Sequence, residues 1–217
     1  MPTKKVLVID VGGTHVKAGS NDHAEVKADS GPGMTPSAMV TAVKNMTKGW
    51  KYDAVAIGYP GPVLHGRPVA EPHNLGIGWV GFNFKKAFRK PVKMVNDAAM
   101  QALGSYQGGR MLFLGLGTGL GAAMIVDGIL EPMELAHLPY KKGRTYEDYV
   151  GERGLERLGK KRWARHVSDV VEKLRAALEV DYVVLGGGNA RLLKNPPPGA
   201  RLGDNANAIK GGIRLFS

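Results

Sequence analysis

The sequence predicts an α/β protein built from two similar halves, and three observations support this. Apolar, β-branched runs typical of buried strands alternate with segments of helical periodicity. An apolar strand, a glycine turn containing Thr and a returning strand occur twice, at 6–19 and 111–124. The 217 residues suffice for two small domains. We predict an N-terminal half over 1–105 and a C-terminal half over 106–203, with a terminal helix at about 204–217 that can pack back on the first half.

The first half is predicted to hold five strands and three helices. Thr35 and Pro36 give the first helix a capping hydroxyl and a favourable first residue. Gly and Pro make residues 63–81 an irregular loop, a type that is often functional. The strands are expected at 5–11, 14–20, 24–29, 53–59 and 91–95, and the helices from residue 36, at 83–89 and at 97–105.

The second half is predicted to repeat this pattern with one long helix. The helix spans 161–180, where five apolar residues, from Trp163 to Leu178, share one face. Asp127-Gly128 is typical of a hairpin turn. Strands are expected at 111–114, 122–126 and 182–185, helical pieces at 145–158, and a terminal helix at 205–216.

Composition excludes several classes of protein. Hydrophobic residues make up 43% of the chain, which argues against global disorder. There is no Cys, so neither disulfides nor a thiolate metal site can form. No apolar run approaches the roughly 20 residues of a membrane span, and the first apolar run is too short for a signal peptide, so we expect a cytoplasmic protein without a membrane partner. The net charge of +11 indicates an anionic partner or serves solubility alone.

Glycine turns form the candidate phosphate sites. Without a Cβ, glycine lets backbone N–H groups approach anionic oxygens, and a neighbouring Thr can donate its hydroxyl. Each turn alone is more typical of a plain hairpin, but three together favour phosphate binding. Asp10, at the end of the first strand, is either a turn-capping residue or a water-mediated Mg²⁺ ligand, and we favour the metal. The candidate phosphate-binding residues are Gly12, Gly13, Thr14 and Lys17, then Gly117, Thr118 and Gly119, then Gly186, Gly187 and Gly188.

A set of motifs along nearly the whole chain resembles the ROK sugar kinases. The resemblance implies the actin-like ATPase (ribonuclease H-like) fold, with two α/β halves around a cleft where sugar and donor meet. The spacing of the motifs is most similar to that of the short polyphosphate-glucokinase branch of this family. The motifs are DVGGTHVK at 10–17, GYPGPV at 58–63, NDAAMQALG at 96–104, LGLGTGLGAAMIVDG at 114–128, ELAHL at 134–138 and LGGGNA at 185–190.

The same resemblance implies roles for individual residues. Asp97 matches the catalytic base, which would take the proton of the attacking sugar hydroxyl; the alternative is an ordinary helix N-cap. Glu134 and His137, three residues apart, would face the same way on one helical turn. The implied sugar ligands are Asn74, Asn96, Asp97, Glu134 and His137, with Glu152 or Glu147 as a further one.

The expected activity is transfer of a phosphoryl group to the 6-hydroxyl of a hexose, most simply glucose, with ATP and Mg²⁺. Polyphosphate is the alternative donor, and a non-catalytic sugar-binding regulator is the alternative of another class. The family's Cys-rich motif is missing and Ala136 replaces its glycine, so we expect no structural zinc. We expect no nucleic-acid partner. The family that the chain resembles is often dimeric, so a homodimer is left open as an alternative. The segment 141–165, with nine basic and four acidic residues, is either a solvated helix face or a polyphosphate track.

Overall fold

The computed structural model describes residues 4–204 and 206–217, which form two compact units. Unit 1 comprises Met1–Gly104 with Ala208–Ser217, and unit 2 comprises Ser105–Asn207. The strands are β1 Val6–Val11, β2 His15–Ser20, β3 Val26–Asp29, β4 Ala54–Tyr59, β5 Val63–Leu64, β6 Arg67–Pro68, β7 Val92–Asn96, β8 Arg110–Leu116, β9 Leu120–Val126, β10 Ile129–Met133, β11 Pro139–Lys141, β12 Arg144–Thr145, β13 Tyr182–Gly186 and β14 Ala200–Leu202. The helices are α1 Pro36–Met46, α2 Phe84–Phe88, α3 Asp97–Ser105, α4 Glu147–Val150, α5 Glu152–Leu178 and α6 Asn207–Arg214.

Unit 1 is built on a five-stranded sheet in the order β3-β2-β1-β4-β7. β1, β4 and β7 run parallel, whereas β2 and β3 are antiparallel additions at one edge. The central strand β1 is apolar on both faces: Leu7 and Ile9 pack in a core with α1, and Val6 and Val8 pack against Met100 of α3. The carboxyl ends of three parallel strands therefore lie at one edge of a sheet that is covered on both faces.

Unit 2 repeats the same strand order, β10-β9-β8-β13-β14. β8 and β9 form an antiparallel hairpin, and β13 and β14 extend the sheet in parallel. Val167, Val170 and Leu174 of α5 belong to the same core as Leu112 and Leu114 of β8. The predicted α/β class is confirmed, and the motif repeated in the sequence corresponds to the β1–β2 and β8–β9 hairpins.

The C-terminal helix α6 packs on unit 1. Ile209 and Ile213 lie against the cluster that contains Val8 and Met100. A Cβ at Gly211 would stand 1.8 Å from the carbonyl oxygen of Met100, so only glycine permits this approach. The predicted helix was placed from 205, but residue 205 lies outside the described part of the chain and α6 begins at Asn207.

Several local expectations require correction. The helical pieces predicted at 145–158 correspond to α4 and to the first part of α5, which kinks at Gly159, whose φ of 71° is not helical, and ends at Leu178 rather than 180. The irregular loop 63–81 contains a two-stranded ribbon, β5–β6. β10, β11, β12 and β14 were not predicted, because strands of two to five residues carry little periodic signal. Among the described residues, no helix combines the length and apolar character needed to cross a membrane.

Candidate functional site

Two carboxylates lie at the carboxyl edge of the unit 1 sheet. Asp10 is near the end of β1, and Asp97 directly follows β7 as the first residue of α3. β4 lies between these two strands, and its Gly58 stands in register with Asp10. A Cβ at Gly58 would lie 3.5 Å from Asp10 Oδ1 and 3.1 Å from Met100 Sδ. The absence of a side chain at Gly58 therefore lets Met100 and the Asp10 carboxylate approach β4 closely.

The acid pair is electrostatically coupled. Burial, and second the charge of Asp10, raise the pKa of Asp97 to about 7. Burial also raises the pKa of Asp10 to about 6, against the opposing influence of the Lys17 ammonium. A carboxyl group with a pKa near 7 exchanges a proton readily at neutral pH, which is the property that a general base needs.

Asn96, rather than Asp97, caps the α3 helix. Its Oδ1 accepts a hydrogen bond from the Ala99 N–H at 3.0 Å, the geometry of an N-cap. Asp97 Oδ1 accepts from the next residue, the Ala98 N–H, at 2.7 Å. The alternative interpretation of Asp97 as an N-cap is therefore wrong. Because the helix engages the amide oxygen of Asn96, the group that this residue can offer to a sugar is its amide N–H₂.

Asn74 packs against the first glycine turn. A Cβ on Gly13 would stand 3.0 Å from the Cβ of Asn74, so the loop 63–81 touches the turn that follows Asp10. The loop is held by Glu71, whose carboxylate accepts the backbone N–H groups of Trp79 at 3.0 Å and Val80 at 3.1 Å. The ordering role of Glu71 could not be predicted from the sequence, because its backbone partners are set by the folded loop.

The side chains around the first turn are only partly available to a phosphate. Thr14 is exposed, and Gly12 and Gly13 are half-buried. Lys17 stands opposite Asp10 in the β1–β2 register and forms an ion pair with Glu25 at 3.1 Å. Its charge is therefore shared between two carboxylates, a contact that the spacing of the motif did not indicate.

The second and third glycine turns lie together in unit 2. The carbonyl oxygen of Gly117 accepts hydrogen bonds from the Glu152 N–H at 3.0 Å and from Asn189 Nδ2 at 3.2 Å. A Cβ on Gly187, which has φ of 81°, would lie 2.5 Å from the carbonyl oxygen of Leu116. The 117–119 and 186–188 turns are thus in direct contact. Asn189 belongs to the LGGGNA motif but was not singled out.

Both candidate glutamates flank the 117–119 turn. Glu147 Oε2 accepts the Leu120 N–H at 3.1 Å, and a Cβ on Gly119 would collide with the same oxygen. Glu152 begins α5 with an exposed side chain, and its backbone N–H also approaches the carbonyl of Thr118 at 3.3 Å. Of the two, Glu147 has the fixed carboxylate.

Glu134 and His137 are not on a helix. Both are exposed and lie in the turn that joins β10 to β11, because Pro132 and Pro139 bracket a segment too short for a helix. The expected common helical face is therefore wrong, while the proposed sugar contacts stay a prediction. Glu134 Oε1 accepts the Ala136 N–H at 3.1 Å, and the Ala136 carbonyl accepts the Glu147 N–H at 3.0 Å.

A polar network fastens this turn region to α5. The Tyr140 hydroxyl donates to Asp169 Oδ2 at 2.5 Å and lies 2.9 Å from His166 Nδ1. Asp169 also pairs with Lys141 at 3.0 Å. Burial and the hydrogen bond to Asp169 raise the pKa of Tyr140 to about 12, so its hydroxyl remains a donor at neutral pH.

The basic segment 141–165 is partly neutralised by its own neighbours. Lys141 is paired with Asp169, and Arg153 with Glu147 at 3.3 Å. Arg157 donates to the carbonyl of Asp148 at 2.6 Å. The use of segment 141–165 as a polyphosphate track stays a prediction. Because some of its basic residues are paired within the chain, fewer of them are available for phosphate than the sequence suggested.

Comparison with known proteins decides the family. The model of the ROK family matches residues 6–132, more than half of the chain. This chain belongs to the ROK family. The resemblance found in the sequence is confirmed.

Individual relatives and solved structures agree with this assignment. Polyphosphate glucokinase from Mycobacterium tuberculosis (strain CDC 1551 / Oshkosh) is 28% identical over 88% of this chain and 82% of that protein. The inorganic polyphosphate/ATP-glucomannokinase of Arthrobacter sp. strain KM has a TM-score of 0.79 at 23% identity and covers 99% of this chain and 100% of that chain. A ROK glucokinase from Streptomyces griseus, solved with glucose and AMPPNP, has a TM-score of 0.77 at 20% identity, covering 97% of this chain and 98% of its own. The predicted actin-like ATPase fold is confirmed.

Proposed function

We propose that this ROK protein is a hexose kinase that phosphorylates the 6-hydroxyl of glucose. The observation that carries the proposal is the pair of buried, electrostatically coupled carboxylates Asp10 and Asp97 at the carboxyl edge of the unit 1 sheet. The glucokinase names of its relatives support the same activity, so the kinase predicted from the sequence is borne out.

In the proposed reaction Asp97 accepts the proton of the sugar hydroxyl as its oxygen attacks the terminal phosphoryl group. A positioned base of this kind contributes roughly 10²–10⁴-fold to the rate. Asn96 orients Asp97 by capping α3, and its amide N–H₂ with Asn74 offers donors to sugar hydroxyls. Glu134, His137 and Glu147 or Glu152 are the proposed contacts from unit 2.

The donor side of the proposal rests on the glycine turns. Gly12 and Gly13 in unit 1, and the 117–119 and 186–188 turns in unit 2, would bind phosphate oxygens through backbone N–H groups. ATP is the proposed donor. Polyphosphate is a second candidate, favoured by the names of the Mycobacterium and Arthrobacter proteins.

Magnesium fits the residues present at the acid pair. Mg²⁺ prefers one or two carboxylates together with phosphate oxygens and water. Asp10, with Asp97 near it, offers that set, and we propose Asp10 as the water-mediated ligand. The ion would neutralise charge on the transferred phosphoryl group.

The test is a matrix of initial rates. Glucose, mannose, fructose and N-acetylglucosamine are each combined with ATP or polyphosphate, and the sugar phosphate and the released ADP or shortened polyphosphate are measured. We expect glucose to give the largest kcat/KM. Binding of glucose without phosphorylation by either donor would overturn the proposal in favour of a sugar-binding regulator. Zinc analysis of the purified protein belongs to the same experiment, and no stoichiometric zinc is expected.

A further inference from the structure

Two segments of unit 1 are rich in basic residues and lack acidic ones. Residues 44–52 contain three lysines, and residues 83–96 contain four lysines and one arginine, without a single Asp or Glu in either segment. This bias exceeds that of segment 141–165, where four acidic residues interrupt the basic ones. Residues 157–165 of α5 also carry five basic residues in nine without an acidic one, so uncompensated positive charge lies both in unit 1 and on α5.

The fold brings these segments together. Lys44 Nζ, on α1, donates to the carbonyl of Ala87, on α2, at 2.8 Å. Lys51 and Lys90 line one cavity of about 420 Å³, together with Lys5, Trp50, Tyr52 and Asp53. We call the following residues the basic patch: Lys44, Lys48, Lys51, Lys85, Lys86, Arg89 and Lys90.

The basic patch keeps its positive charge within the described part of the chain. Among the ion pairs of the described residues, none includes a member of the patch. The acidic group in the cavity, Asp53, accepts the backbone N–H of Lys5 at 3.0 Å, and the Lys5 ammonium itself pairs with Asp22 at 2.6 Å. Clustered like charges repel one another and favour an anionic partner.

The patch is distant from the acid pair. The cavity lies at the amino ends of the parallel strands, where Lys5 precedes β1 and Asp53 precedes β4. Asp10 lies five residues further along β1, so about 16 Å of extended strand separates the two ends. Exposed charges more than roughly 8–10 Å apart are screened at physiological salt, so the patch is a site separate from the acid pair.

The chemistry of the patch favours a flexible chain of phosphates over nucleic acid. Six of its seven members are lysines, which are mobile point charges suited to phosphates in any arrangement. Single-stranded nucleic acids are held by exposed aromatic rings that stack on bases. Here Trp50 is half-buried and its ring already stacks on His23, with centroids 4.2 Å apart, and Tyr52 is half-buried.

We propose that the basic patch is a docking site for long inorganic polyphosphate, remote from the phosphoryl-transfer residues. The choice of this polyanion rests on the proposed function, whereas the existence of an anion site rests on the patch alone. Short phosphate donors would not reach it. A competing explanation is structural, since lysines near the C-terminal ends of α1 and α2 interact favourably with the helix dipoles.

The test compares two triple variants that change the net charge equally. Lys48→Glu/Lys51→Glu/Lys85→Glu alters the patch, and Lys160→Glu/Lys161→Glu/Arg162→Glu alters exposed positions on α5. End-labelled long polyphosphate is titrated at two salt concentrations, with anisotropy as the readout and without sugar. We expect the patch variant to lose at least tenfold in affinity and to show a shallower salt dependence, by about one unit per lost phosphate contact. The α5 variant should change less than about threefold.

Kinetics on the same proteins separate this proposal from the proposed function. The KM for long polyphosphate should rise in the patch variant, while the KM for tripolyphosphate and for ATP stays within about twofold. If the wild type phosphorylates no hexose, the proposed function fails, yet polyphosphate binding still tests the patch.

Several results would overturn the docking site. These are no binding of polyphosphate by the wild type, equal losses in both triple variants, a larger loss in the α5 variant, and tighter binding of an oligonucleotide that the patch variant abolishes. If the patch variant has a lowered Tm, Lys48→Gln/Lys51→Gln/Lys85→Gln replaces it. A lowered Tm with unchanged affinity would favour the structural explanation.

Discussion

At corresponding register positions of their sheets, the two units carry different side chains, charged in unit 1 and absent in unit 2. In unit 1 the β1–β2 register pairs Asp10 with Lys17, and the β1–β4 register pairs Asp10 with Gly58. In unit 2 the corresponding strands pair Gly115 with Gly121 and with Gly186. One sheet thus carries a carboxylate and an ammonium where the other carries three glycines.

The difference shows that one strand order can carry two different sets of chemical groups. Strand order and parallel direction are the same in both units, so topology does not assign the chemistry. A row of glycines leaves the backbone open to a bulky anion, whereas a buried carboxylate repels an anion and accepts a proton. We therefore expect substitutions in unit 1 to change kcat and those in the glycine row to change the KM of the donor.

The largest effect is expected for Asp97→Asn. The amide keeps the shape of the side chain and can still accept the Ala98 N–H, but it cannot take a proton. We expect kcat to fall by at least about 100-fold with the KM for glucose within about threefold. Steady-state rates and a glucose titration check this. A kcat within about tenfold of the wild type would exclude Asp97 as the base.

A smaller effect is expected when the acid of unit 1 is copied into unit 2. A Cβ on Gly115 would have its nearest neighbour, Phe113 Cε1, at 3.4 Å, so the first side-chain atom fits with little adjustment. Gly115→Asp should raise the KM for ATP about tenfold, a cost of about 1.4 kcal/mol, because the new carboxylate repels the donor phosphates. Gly115→Ala is the control for bulk alone. Equal KM values in the two variants would mean that charge in the glycine row is immaterial.

The sequence predicted the duplicated scaffold because long apolar strands and glycine turns are strong local signals. β1, β4 and β8 were placed to within about one residue at most ends; Asp10 was singled out at the end of a predicted strand, and Asp97 through the resemblance to the ROK sugar kinases. The strands needed only the apolar pattern of the sequence, whereas the role predicted for Asp97 depended on the family resemblance.

Features that depend on distant partners could not be read in the same way. The phosphate role predicted for Lys17 stays a prediction, but its ion pair with Glu25 could not be read from the spacing of the motif. Glu134 and His137 have helical spacing, but prolines on both sides and the Tyr140–Asp169 bond fix a turn instead. The basic patch joins residues some forty positions apart, so counting charge along one segment directed attention to 141–165.

The smallest effect tests the charged character of unit 1 through its stability. The pKa of Asp97 is raised from 3.8 to about 7, so the folded state binds the proton more tightly than the unfolded state. Its contribution to stability is therefore lost as pH rises from about 4 through about 7. Asp97→Asn cannot ionise, so the Tm difference between variant and wild type should favour the variant and be smaller at pH 5 than at pH 8, without divalent cations. A free-energy gain on the order of 2 kcal/mol corresponds to roughly 4–8 °C in a chain of this size.

Asp127→Asn removes one exposed carboxylate from a hairpin tip of unit 2 and should show no such pH dependence. If the two variants show the same pH dependence of Tm, then ionisation of Asp97 does not destabilise the folded state. The contrast between the charged sheet edge of unit 1 and the open edge of unit 2 would then not hold.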